Sequence, residues 1–163
     1  MPKKLEQCRV CGNRNLAEVI SLGDQVLTGV FPKTKSEQVT QGPLRVSRCV
    51  VSGPEHCGLV QLADSYDGRE LYGENYGYRS GLNKSMVIHL HEKVRKILSI
   101  AKLEKGDLIV DIGSNDSTSL QAYPPRDYVL VGVDPTGEKF KEYYPPHIQL
   151  IPDFFSVGSV NKK

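Results

Sequence analysis

Tryptophan is missing from this chain of 163 residues, cysteine occurs only four times, and 21 basic against 19 acidic side chains leave a net charge of just +2. Each shortage excludes something. So balanced a charge gives no nucleic-acid or membrane footprint. No apolar run approaches the roughly 20 residues that a membrane-crossing helix needs. The first residues, Met1 to Gln7, are basic but lack the apolar stretch of a secretory leader. The default is therefore a soluble cytoplasmic protein, in which stable disulfides are not expected. What is present, 39% hydrophobic and 25% charged residues, suits a globular chain of one ordinary domain or two small ones.

The few cysteines are not scattered. Cys8 and Cys11 enclose Arg9 and Val10 and precede Gly12, while Cys49 and Cys57 form a second pair followed by Gly58. A cysteine pair on a tight knuckle with glycine behind it turns backbone amides toward the thiolates. Two such knuckles meeting make a closed tetrahedral site of four thiolates for structural zinc. The second pair is wide, and its inserted Ser52 to Glu55 is turn-forming, so the excess reads as a loop bulging from an intact site. Four buried free thiols, disulfides, a redox pair, and a site in which His56 replaces a cysteine compete with this reading. Around the knuckles, Leu16 to Leu22, Pro43 to Cys49 and Gly58 to Leu62 have the look of short strands, which predicts a β-rich module over residues 1–64.

Residues 65–82 hold Tyr66, Tyr72, Tyr76 and Tyr78 among glycines with no periodicity, the pattern of an ordered connecting loop. Its tyrosines can stack on a ligand or fill gaps in the structure. From Asn83 to Lys102, apolar residues at Val87, Leu90, Val94, Ile97, Leu98 and Ala101 mark one face of a helix. His89 and His91 straddle that face as packing or solvent-facing residues.

Leu108 to Asp116, Leu-Ile-Val-Asp-Ile-Gly-Ser-Asn-Asp, is the most informative stretch. Its apolar run is that of a strand buried on both faces, with Asp111 inside it and Gly113 opening a turn. A short helix follows, stopped by Pro124 and Pro125. A second strand, Tyr128 to Val133, then ends in Asp134, placed where a carboxylate accepts ribose hydroxyls. A two-turn helix from Glu138 to Tyr144, a third strand from Ile148 to Ile151 and a polar tail complete the order, an α/β region over residues 83–163. Dinucleotide sites want glycines at the first, third and sixth turn positions, where this chain has Gly113, Asn115 and Thr118. The looser S-adenosylmethionine pattern, an acid, a spacer, then glycine with small residues after it, fits better. A buried strand and turn with no ligand is the third alternative.

With those residues in place, the chain resembles the N-terminal part of the S-adenosylmethionine-dependent C-methyltransferases that act on nucleotide-linked deoxysugars. The stretches that carry the resemblance are Cys8 to Gly12, Cys57 to Leu62, Tyr76 to Met86, Asp111 to Asp116, Gly132 to Pro135 and Asp153 to Ser156, in family order. It implies a small zinc-binding module followed by the first half of a class I, Rossmann-like methyltransferase fold. It also implies zinc on Cys8, Cys11, Cys49 and Cys57. In the cofactor site, the acid of the pattern is Asp111, and Gly113, Asn115 and Asp116 approach the methionine part. Asp134 takes the ribose, and Pro135, Asp153 and Phe154 border the adenine. Tyr76 and Tyr78, with Arg79 and Ser80, cover the sulfonium, a cation that an aromatic face attracts. Two departures stand out. Ser117 occupies a position where the family has glycine, which costs about 1 kcal/mol if that residue needs positive φ, and is expected to weaken cofactor binding. Three strands also leave an open edge, so a fragment or truncated relative, inactive alone, is expected, and no catalytic base can be named. The substrate class implied is a small nucleotide sugar; the rival is a zinc-binding scaffold that has lost catalysis.

Overall fold

The computed structural model describes residues 2–27, 32–50, 57–73 and 76–160, and the chain forms two compact units, Met1–Leu71 and Tyr72–Lys163. Among the described residues, the regular structure of the first unit is β apart from one helical turn. Strand β1 (Lys3–Lys4) is followed by the long β2 (Leu16–Val26), β3 (Gln41–Cys49), β4 (Val60–Leu62) and β5 (Asp64–Ser65), and a single helical turn, α1 (Gly68–Leu71), comes last. Strands β2, β3 and β4 make an antiparallel sheet in that order, and β1 pairs separately with β5. Strand β2 runs four residues beyond its expected end. Register shifts either side of Ile20 and Ser21, with Gly23 at φ +67°, let it bulge and still stay paired with β3. The turn expected over Ser52 to Glu55, and His56 with it, lie outside the described residues.

The second unit opens with a strap from Tyr76 into a 3-10 turn at Ser80–Leu82 and then a long helix, α2 (Lys84–Ile100). Asn83 caps α2 by accepting the Ser85 amide at 3.0 Å, and the chain turns extended at Ala101. Strands β6 (Leu108–Ile112), β7 (Val129–Val133) and β8 (Ile148–Ile151) form a parallel sheet in the order β6-β7-β8, with α3 (Gly137–Phe140) between the last two and α4 (Val157–Val160) after them. On one sheet face Leu130 and Ile148 pack with Val94 of α2 and with Leu120 and Tyr123. A smaller cluster of Val131, Val133 and Ile151 lies on the other face. Each fully buried side chain here contributes about 1.5–3 kcal/mol.

Three expectations are corrected. Strand β6 is not buried on both faces: Leu108 and Ile112 are 60% and 59% exposed, because β6 is the edge of the sheet and only its Ile109 side packs on the core. No α-helix follows Asp116. Asn115 and Ser117 have φ of +50° and +62°, incompatible with a right-handed helix, so the chain makes tight turns and a 3-10 turn at Leu120–Ala122. The segment after Ser156, expected as a polar tail, forms a turn of helix, α4, at Val157–Val160, and just before it the Ser156 hydroxyl accepts the Ser159 amide.

Candidate functional site

In the first unit all four cysteines converge. Cys8 and Cys57 sulfurs are 3.5 Å apart, Cys11 and Cys49 sulfurs 3.6 Å, and the four lie within 4.8 Å of one another. These separations are far too long for disulfides. They approach the edge of a tetrahedron with 2.3 Å metal–sulfur bonds, about 3.8 Å. The chain folds this way because Gly12 and Gly58, behind each knuckle, take φ of +73° and +68°, where a side chain would be strained.

Amides then face sulfur. Those of Cys11 and Val10 donate to Cys8 and hold its thiol down at about 6, although burial opposes them. The Asn13 amide lowers Cys11 in the same way. Cys57 receives the Leu59 amide, but burial and its three sulfur neighbours outweigh that donor and push it up to about 11. A cation is what such a cluster of sulfurs needs. Arg9, which sequence reasoning passed over as filler between two cysteines, ties the knuckle to β4 and β5: its guanidinium donates to the Leu62 carbonyl at 2.7 Å and to Ser65 Oγ at 2.9 Å.

In the second unit a crevice of about 330 Å³ opens beside the C-terminal ends of β6 and β7. Among the expected residues, Tyr76, Tyr78, Ser80, Gly113, Asn115, Asp134, Pro135 and Phe154 line it together. Tyr72, Ile112, Val133, Thr136 and Phe155 line it too. Tyr72 was visible only as one of several loop tyrosines, Ile112, Val133 and Phe155 only as strand ends and the Asp-Phe-Phe run, and Thr136 carried no signal of its own.

Asp111, Asp116 and Asp153 are not among the lining residues. Asp111 shares the side of β6 that carries Ile109, opposite Ile112. Burial raises its pKa there, against the pull of Lys93. The Asp116 carboxylate is turned into the protein and 2% exposed, and the Asp153 carboxylate accepts the Phe154 amide at 2.8 Å.

Gly113, at φ +79°, ends β6, and the Gly113 amide donates to the Val133 carbonyl at 2.8 Å. Asp134 is 7% exposed and firmly oriented. Its Oδ2 accepts the Asn115 amide at 2.8 Å, and its Oδ1 accepts the Thr136 amide at 2.7 Å and the Thr136 hydroxyl at 2.5 Å. With two lone pairs on each oxygen, Oδ1 is filled, and among the described residues Oδ2 accepts only the Asn115 amide and keeps one position for an incoming donor. Ser117 does sit at positive φ, but it is not in the crevice. Its hydroxyl donates to the Tyr143 carbonyl at 3.1 Å and accepts from Gln121 at 2.9 Å.

Residues 8–72 match a methyltransferase-linked protein family described as "Putative zinc binding domain". The cysteine cluster lies within the matched span, so the first unit is a β-rich zinc-binding region in a mixed α/β chain. The chain as a whole is similar to C-methyltransferase NovU of Streptomyces niveus, 29% identical over 135 residues that cover 82% of this chain and 31% of that protein. It spans about a third of the relative's length. Together the two matches bear out the resemblance to the N-terminal part of a C-methyltransferase. Among the described residues no helix is long and apolar enough to cross a membrane.

Proposed function

We propose that this chain is the zinc-binding and cofactor-binding portion of a cytoplasmic, S-adenosylmethionine-dependent C-methyltransferase that modifies a nucleotide sugar. In this reading residues 1–64 are the zinc module, 65–82 the connecting loop and 83–163 the first half of a Rossmann-like methyltransferase domain. Cys8, Cys11, Cys49 and Cys57 hold structural zinc. The observation that carries the cofactor half is the crevice: three parallel strands, a glycine turn, and a fixed carboxylate with one acceptor position left, all at the C-terminal ends of the strands. That is where open parallel sheets bind nucleosides.

Asp134 takes a ribose hydroxyl on its open Oδ2 position. Pro135 and Phe154 border the base, and the rings of Tyr76 and Tyr78 offer their faces to a cation. S-adenosylmethionine, when bound, supplies an electrophilic methyl group on a sulfonium. These residues bind and orient it and exclude water. None of them is assigned as the base that takes a proton from a sugar carbon, and the chain on its own is expected to bind without turnover.

Isothermal titration of the zinc-loaded chain with S-adenosylmethionine tests this reading. One-to-one binding that Asp134→Ala weakens by about tenfold or more supports it. No heat from a folded, zinc-loaded sample rejects it and leaves a zinc-binding scaffold.

A further inference from the structure

The strap that carries Tyr76, Tyr78 and Ser80 forms one wall of the crevice, yet between Tyr76 and the 3-10 turn at Ser80–Leu82 it belongs to no helix or strand. Lys139 Nζ donates to the Tyr76 carbonyl at 2.9 Å at its start, and a pair of neighbouring side chains in the turn after β6 fixes the stretch from Tyr78 to Gly81. Asn115 reaches it with both ends of its amide: Oδ1 accepts the Ser80 amide at 2.9 Å, and Nδ2 donates to the Tyr78 carbonyl at 3.1 Å. Asp116 takes the next two groups on a single oxygen, the Gly81 amide at 2.8 Å and the Arg79 guanidinium at 3.2 Å. Its other oxygen accepts the Thr118 amide and hydroxyl at 3.3 and 2.5 Å, so protein groups occupy both oxygens of this buried carboxylate. Arg79 is held from a second direction, lying 4.0 Å over the ring of Tyr143.

Glycine at position 81 is dictated by the same contact. A Cβ there would come within 2.7 Å of Asp116 Oδ2 and 3.0 Å of Arg79 Nη1, so the backbone can approach the carboxylate only without a side chain.

We infer that Asn115 and Asp116 are positioning residues, a two-residue hub that docks the tyrosine strap against the crevice and thereby sets how long a ligand stays. This rests on the cofactor reading above. It reassigns Asp116 from direct cofactor contact to holding the wall that contacts it. Asn115 serves both ends, since its own amide orients Asp134 while its side chain holds the strap. The ligand site and the strap are therefore joined through one residue at positive φ.

The test uses the full zinc-loaded chain and two variants that attack the contact from opposite sides, Asp116→Asn and Gly81→Ala. Two readouts are taken: amide hydrogen exchange at Ser80, Gly81 and Leu82 against the amides of β7, and the dissociation rate of S-adenosylhomocysteine. In both variants the strap amides are expected to exchange about tenfold faster or more with β7 unchanged, as loss of one charge-assisted hydrogen bond implies. The ligand leaves faster by a similar factor, while its association rate moves little. A residue that merely stabilised the fold would instead speed exchange in β7. If Asp116→Asn does so, Gly81→Ala, which leaves the carboxylate intact, decides. Strap exchange unchanged in the variants overturns the hub, and a loosened strap with unchanged ligand dissociation overturns its role in binding. A parent chain that binds no S-adenosylhomocysteine at all defeats the cofactor reading instead, and the exchange comparison still decides whether the hub holds the strap.

Discussion

The two units of this chain hold themselves together by different means. In the second, Val94, Leu120, Leu130 and Ile148 meet between a parallel sheet and a helix, a small apolar core of the ordinary kind. In the first, β2 is exposed along nearly its whole length, and the buried apolar side chains among the described residues are Leu27, Cys8 and Cys49. Its fasteners are polar: four converging sulfurs, Arg9 across the knuckle, and the Arg45 guanidinium on Asp64 at 2.7 and 3.0 Å. A short β-rich segment with so little core needs a crosslink, and a metal ion is the crosslink its donor set fits. The lesson is that similar lengths of chain reach order by ligand chemistry in one case and by burial in the other.

That contrast can be broken most severely by taking the metal away. Chelation is expected to remove about 10 kcal/mol or more of metal-linked folding free energy from the first unit, and Cys49→Ser, which leaves three thiolates, a part of it. Hydrogen exchange should then show its amides losing protection while β7 and α2 keep theirs; equal loss in both units would erase the distinction. Next in size is Leu130→Ala. Leu130 is 1% exposed, and its truncation should cost the second unit about 2–5 kcal/mol in chemical denaturation without changing zinc content.

A pH scan gives a smaller effect with a defined sign. Burial pushes Tyr144 up to about 12, although its hydrogen bond with Ser114 pulls the other way. A raised folded pKa favours the protonated phenol, so its contribution is complete below pH about 10 and is lost as pH rises from there toward 12. Melting of the second unit should fall over that window, and Tyr144→Phe should flatten the fall. Smallest of all is Ser117→Gly. Relief of the strained φ, about 1 kcal/mol, is offset by loss of the hydrogen bonds with Tyr143 and Gln121. The net change should stay within about 1 kcal/mol, and ligand affinity should not move.

Much of this was legible because it depends on short-range pattern. The strand, glycine and acid of residues 108–134 are set by side-chain period and turn chemistry, and the helix by its apolar face. The converging cysteines were readable from two knuckles and two glycines. What could not be read depends on neighbours distant in sequence. The apolar run of β6 looks like a buried strand whether or not another strand covers its edge. Asn115 and Asp116 are adjacent small polar residues, and nothing in their order says that one lines a crevice and the other is turned inward onto Arg79 and Gly81. Arg9 resembles any surface cation until β4 and β5 are placed beside it.

In the proposed function, the turn after β6 and the end of β7 receive an adenosyl group. Two-dimensional NMR of the zinc-loaded chain, titrated with S-adenosylhomocysteine, addresses this most directly. Saturable shifts are expected at the amides of Gly113, Asn115, Asp134 and Thr136, with the cysteine knuckles unmoved. Shifts gathered elsewhere, or none at saturating ligand, would contradict that function.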